Sequence, residues 1–267
     1  MKHGPTLIFL AFAIALGACS SAADNDQPAQ VTPNPLGNGD RLRDVQDPSN
    51  ADYAPNKNVN VSTVVVTAVD NFDETHNGKS LGTIFVQDAD QALPYGGISL
   101  YSPTFVPANL RLAPGDVVSM SGEYVEEQTI GTTVNFAPNF LPQMSKPQVT
   151  QDFETQLPAP VEVTLDQLSS FATARPYIGM LVVLKDVTAP YAPSASDSSG
   201  RITADLTSIV DGPAINNELW DLQAWNGSNS SNSFPAGTHF TSITGIVDFF
   251  FNIFIAPRSA ADLVQGP

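Results

Sequence analysis

Carboxylates are the most abundant side chains in this sequence that could do chemistry. Asp70, Asp73 and Glu74 flank one polar stretch, Asp88 and Asp90 end an apolar run, and Glu123, Glu126 and Glu127 crowd together. Hard cations such as calcium take about six to eight oxygens from carboxylates and carbonyls, which makes Asp70, Asp73, Glu74, Asp88 and Asp90 candidate calcium ligands. Neither group has the spacing of an EF-hand loop, and a solvated acidic loop is the plainer explanation of both. Histidine is scarce: beyond His3 there are only His76, in a polar stretch, and His239, opening an apolar one. No HExxH, no GxSxG and no Gly-rich phosphate loop before a helix occurs. Ser, His and Asp are all present, as in any secreted chain of this composition, and their spacing singles out no triad. The one cysteine, Cys19, leaves no intramolecular disulfide and no thiolate metal cluster. These residues predict no catalytic set and no cofactor.

The charge balance narrows the partners. Of 267 residues only 14% are charged, against about 25% in an ordinary soluble chain, and 11 Lys plus Arg face 27 Asp plus Glu, a net charge of -16. Affinity for phosphate backbones rests on Lys and Arg, so nucleic acid is an unlikely partner. A hydrophobic content of 42% suffices for one large domain or two small ones, and 22 Pro with 18 Gly argue against long helices.

Lys2 is followed by an unbroken apolar run at residues 7–16 and then by Gly17, Ala18 and Cys19. The run is about half of the roughly 20 residues a membrane-spanning helix needs, so residues 1–18 are expected to be a secretory signal peptide. Leu16-Gly17-Ala18-Cys19 resembles the lipobox of bacterial lipoproteins. That resemblance implies cleavage before Cys19, acylation of its thiol and attachment to a membrane through the lipid; several acyl chains on one residue anchor stably. The alternative is an ordinary cleaved signal with Cys19 merely nearby. Ser20, where enterobacterial lipoproteins retained at the inner membrane carry Asp, implies by the same resemblance the outer membrane. Residues 19–57 contain Pro28, Pro33, Pro35, Pro48 and Pro55 and few large apolar side chains, which predicts a lipidated, flexible tether. Arg41 and Arg43 within it are expected to be solvated.

From residue 59 the pattern is all-β. Strands are expected at 59–70, 81–88, 97–101, 117–125 and 132–137, with one helical turn at 107–112 and a bend at Gly122. The plan recurs after Pro158 and Pro160: a short helical period at 165–172, then strands at 180–187, 201–206, 218–222, 239–247 and 250–255. Gly115 and Gly122 correspond in this order to Gly237 and Gly245. The expectation is two tandem modules, 58–150 and 151–267, each a small Greek-key barrel with a short helical segment. A pair of immunoglobulin-like sandwiches is the alternative, which the count of about five strands per copy disfavours.

Residues 82–88 (GTIFVQD), 97–101 (GISLY) and 115–118 (GDVV), with Gly245-Ile246-Val247 and residues 256–263 (APRSAADL) in the second copy, resemble the OB-fold modules that accompany secreted bacterial nucleases and occur in envelope lipoproteins. The resemblance spans roughly residues 59–265 and implies the fold more than a function, since nuclease activity in such proteins lies in a separate domain with no counterpart here. An OB-fold that binds single strands presents aromatic platforms beside a positive groove. Phe85, Tyr95, Tyr101 and Phe105 are the candidate ligand face of the first module, Trp220 and Trp225 that of the second. With three bases against nine acids in 58–150 and four against twelve in 151–267, such platforms lack the positive channel. Phe249, Phe250, Phe251 and Phe254 occupy both faces of one strand, which predicts at least one ring that is exposed or packs against the other module. The expected role is a lipid-anchored, non-catalytic envelope protein whose modules bind a protein or glycan partner. An accessory of an extracellular nuclease and a hydrolytic or calcium-dependent enzyme are the alternatives.

Overall fold

The computed structural model describes residues 39–267, apart from 79, 81, 102–111, 129–139, 196, 198–199, 210–211, 225–233 and 251. The valine- and threonine-rich run after Asn56 forms β1 (Lys57–Val69), followed by β2 (Ile84–Asp88), β3 (Gly97–Tyr101), β4 (Asp116–Gln128) and β5 (Phe140–Glu154). They close a barrel in the order β1-β2-β3-β5-β4, antiparallel except for the parallel pair β3·β5. Val64, Val66, Val86, Ile98, Val118 and Tyr124 fill it. The ladder of β1 and β4 slips between Val61 and Val64, where Thr63 takes a left-handed backbone at φ 60°, the local kink of a bulge.

The second sheet has the order β6-β7-β10-β11-β9-β8, with β12 on β10. Its strands are β6 (Val161–Glu162), β7 (Leu181–Ala189), β8 (Thr203–Asp205), β9 (Ala214–Asn216), β10 (Thr238–Phe249), β11 (Ile253–Ala256) and β12 (Leu263–Gln265). Its core includes Leu168, Phe171, Val182, Phe240, Ile243 and Phe249. Leu168 comes from a 3-10 turn and Phe171 from a short helix, Phe171–Ala174, where the helical period was expected. The Phe171 and Phe249 rings meet edge to face at 5.4 Å. Phe250 is exposed, as expected of one ring in that strand, while residue 251 lies outside the described residues. Both sheets belong to one compact unit.

Several expectations need correcting. Residues 40–56, read as tether, are part of the barrel: Leu42 and Val45, three apart on the helix α1 (Leu42–Gln46), are both buried in its core. Asp40 adds a parallel bridge to Val61 through Asp40 N–H to Asn60 O and Ser62 N–H to Asp40 O. The first boundary moves as well, because β5 runs past residue 150 to Glu154. Residues 107–111 of the expected helical turn and the whole expected strand 132–137 lie outside the described residues. At 218–222 there is no strand; the pairing falls on β9 instead, and Leu219 and Leu222 turn inward from bends and a 3-10 turn. Asn217 explains the early end. Its side-chain oxygen accepts from Ile202 N–H and its amide donates to Gly200 O, taking the ladder's place one residue after Asn216.

Candidate functional site at the seam of the two sheets

The outer face of β2–β3 lies against the outer face of β7–β10–β11. Because side chains alternate along a strand, Phe85 and Gln87 share one face of β2, and Ile246 and Asp248 share one face of β10. Ala68, Phe85, Leu181, Leu219, Ile246 and Ala256 pack together as a distinct apolar cluster. Beside it Gln87 Oε1 accepts from Leu181 N–H at 2.9 Å. A Cβ on Gly97 would sit 2.6 Å from the Gly179 carbonyl carbon, so the two backbones touch there and only glycine fits.

One end of this seam is acidic. Asp70, two residues beyond Ala68, is fully buried, and Glu218 and Asp248 are 7% and 6% exposed. Glu218 and Asp248 act on each other electrostatically across this buried end. Asn216 brackets Glu218, its amide donating to Oε2 and its oxygen accepting from Glu218 N–H. Burial pushes the Glu218 carboxyl well above the usual carboxylate range, Asp248 and Asp70 add to the push, and Arg201 opposes it. Glu74 is raised for the same reason, burial first and then Asp70. Arg201 lies over the exposed Phe250 ring at 4.4 Å. Its loop meets the Glu74 loop so closely that a Cβ on Gly200 would overlap the Glu74 carbonyl oxygen.

The other end is built on Arg175, 4% exposed, which reaches from the second sheet's segment into the barrel side. Its Nη2 donates to Tyr124 Oη at 2.7 Å, to Glu126 Oε1 at 3.4 Å and to Gln46 O at 3.4 Å. Tyr53 and Tyr124 also donate to Glu126 Oε1, at 2.8 and 2.6 Å. Burial and the Glu126 carboxylate push the Tyr53 phenol up to about 12. The rings of Tyr95 and Phe140 lie 5.2 and 5.4 Å from the guanidinium carbon. Arg175 Nε and Nη1, Gln46 Oε1, Gln87 Nε2 and Ser99 Oγ are buried without a hydrogen-bond partner. Such atoms are few in native structures, and all of these side chains belong to the seam or to the Arg175 network.

Three of the six expected ligand-face side chains are described. Phe85 is 1% exposed inside the seam, a correction to its expected role as a platform. Tyr95 stacks on Arg175, and Trp220 packs on the second core. Phe105, Trp225, the Tyr101 side chain and Cys19 lie outside the described residues. Three of the expected calcium ligands are committed to other partners. Asp88, fully buried, accepts from Leu42 N–H at 2.8 Å and from Arg43 N–H and Nη1, both at 3.3 Å, and Asp90 pairs with Arg41 and Arg43. The arginines read as solvated are therefore the partners of the acids read as metal ligands. Asp73 accepts from Thr75, Asn77 and Gly78 in its own loop. His76 occupies an exposed turn and His239 a position on β10. Among the described residues no three His, Cys, Asp or Glu are placed to hold a metal ion.

Replacing Asp88 by alanine removes the acceptor of two amides and one arginine at the start of α1. The expected cost is about 1–3 kcal/mol, read by urea unfolding, with amide exchange rising first at Leu42 and Arg43. Exchange unchanged there, with stability intact, would show that α1 is held by Leu42 and Val45 alone.

Sequence reasoning missed Glu218, Asp248 and Arg175. Asp248, an acid inside the apolar run 246–251, carried a usable signal; Arg175 carried none. What the arrangement offers chemically is one buried carboxyl group, Glu218, that holds its proton more tightly than usual beside other acids. No protein-family model, no curated protein and no solved structure matches the chain.

Proposed function

We propose that this chain is a lipid-anchored, non-catalytic envelope lipoprotein in which two OB-fold-like modules form one rigid body that presents a binding or scaffold surface to a protein or glycan. Support for the modules comes from strand pairing. The closed barrel order β1-β2-β3-β5-β4 with a parallel β3·β5 pair supports the OB reading, and β7, β8, β9, β10 and β11 repeat four of its five pairings, including a parallel β9·β11. The pairing of first with second strand has no counterpart in that set. The observation that carries the functional reading is the seam: OB barrels use the face of strands 2 and 3 to hold oligonucleotides and oligosaccharides, and here that face is covered by the second sheet. A rigid body with its usual ligand face closed, acidic throughout and without a positive channel, favours contacts elsewhere on its surface over nucleic acid.

Metabolic labelling with an alkyne fatty acid tests the anchor. The native protein is expected to take the label and sediment with membranes, and Cys19→Ser to lose both; an unlabelled native protein would remove the lipoprotein reading. Single-stranded DNA is expected not to bind even at low salt, where phosphate contacts are strongest. Salt-sensitive binding there would instead favour the nuclease-accessory reading.

A further inference from the structure

With the β2–β3 face covered, the β1–β4–β5 side of the barrel is another face a ligand can reach. A groove of about 170 Å³ lies there, lined by Asn60 of β1, Ser119, Met120 and Ser121 of β4, and Gln148 and Thr150 of β5. The groove is shallow, and the ladders around it are irregular. The β1·β4 register slips between Val61 and Val64, and the β4·β5 register slips on both sides of the groove, between Val117 and Val118 and between Ser121 and Glu123. Bulges of this kind bend strands and re-aim side chains. Gly122 lets β4 and β5 close up beside it, since a Cβ there would lie 2.8 Å from Met144 Sδ.

We propose that this groove binds one ring of a neutral, hydroxyl-rich sugar, an inference that rests on reading the chain as a binding module. None of the six lining residues is charged, in a chain whose net charge is -16. An anionic ligand is repelled by the chain as a whole, and the one carboxylate bonded to the lining, that of Asp152, already accepts from Ser119 Oγ. Ser119 Oγ donates to Asp152 at 2.6 Å, which commits its proton and leaves the oxygen to accept. Asn60, Ser121, Gln148 and Thr150 make no side-chain hydrogen bond to the described residues. Two amides and three hydroxyls thus offer donors and acceptors side by side on a fixed sheet, the chemistry that adjacent sugar hydroxyls match. The volume is well below the roughly 300–1,000 Å³ of a drug-sized pocket, so it takes a single ring of a longer glycan.

The test is saturation-transfer NMR on the full chain in detergent with cellotriose, maltotriose and triacetylchitotriose, and sialyllactose as the anionic comparison. Transfer to at least one neutral trisaccharide, strongest on one ring, is expected. Gln148→Ala with Thr150→Val should weaken that binding about tenfold through lost hydrogen bonds, with the thermal midpoint unchanged. No transfer to any neutral sugar, equal transfer in the double variant, or preference for sialyllactose would overturn the proposal. A chain that binds none of the sugars but still recovers an envelope partner loses the groove and keeps the broader reading. One that binds sugar here but carries no lipid on Cys19 does the reverse.

Discussion

Arg175→Ala is expected to destabilise the fold by about 3–5 kcal/mol, the cost of breaking a buried ion pair from one side. At this chain length that corresponds to a fall in thermal midpoint of roughly 10 °C. The guanidinium ties the segment before β7 to Tyr124, Glu126 and the carbonyl of Gln46, so its loss leaves Glu126 facing two phenols and no cation. The change also removes two donors that have no partner, Nε and Nη1, which offsets part of the cost. Differential scanning calorimetry is the appropriate measurement because it also reads cooperativity. One transition in the native protein and a split one in the variant would identify Arg175 as a tie between the two sheets. A loss under about 1 kcal/mol would mean that the apolar cluster around Phe85 holds the seam without it.

Glu218→Gln is expected to stabilise the protein at pH 8, by about 1–3 kcal/mol, and to flatten its dependence on pH. The sign follows from linkage. A carboxyl whose folded pKa lies above its unfolded value binds its proton more tightly in the folded state, so stability is highest while it is protonated and falls as pH rises through the folded value. Glu218 is raised well above its ordinary value, by burial first and then by Asp248. Asp88, raised to about 7 by burial against the pull of the Leu42 and Arg43 amides, acts with the same sign. Asp90 is different: slight burial raises it, but the Arg43 and Arg41 guanidinium groups outweigh that and lower it, so its contribution is lost only in acid. The native protein should therefore be most stable near pH 5 and lose stability steadily toward pH 8. Thermal midpoints measured from pH 4 to 9 decide it. A native protein more stable at pH 8 than at pH 5, or a glutamine variant with an unchanged slope, would refute the raised Glu218 carboxyl.

Much of the strand plan was legible because β-branched runs and turn residues act locally. β1, β2, β3, β4, β7, β8, β10 and β11 all fall within a few residues of where the alternation and the glycines put them. What failed was decided by distant contacts. β5 carries Pro142 and Pro147, which argue against a strand. Among the described residues it pairs with β3 only over residues 143–145, so no β3 ladder hydrogen bond is asked of either proline. The 40–56 segment reads as a tether by composition, yet two apolar residues and two arginines suffice to fold it, given Asp88 and Asp90 some 45 residues away. The site was the least legible part. Asp70 was noticed as an acid, but its neighbours Glu218 and Asp248 come from the other half of the chain, and no local pattern links them.

The clasp formed by Asp40, Arg41 and Arg43 also has a mechanical meaning. Tension applied to the chain ahead of Asp40 enters the fold at the bridge to Val61 and at the two arginine–aspartate pairs on the end of β2. These attachments lie across neighbouring strands of the barrel, so a pull is divided between β1 and β2 before either is peeled away. The first element to yield would be α1, five residues long, and its release would lengthen the leash while leaving both sheets intact. Under the proposed lipid anchor, α1 would thereby be a short, sacrificial extension ahead of the core.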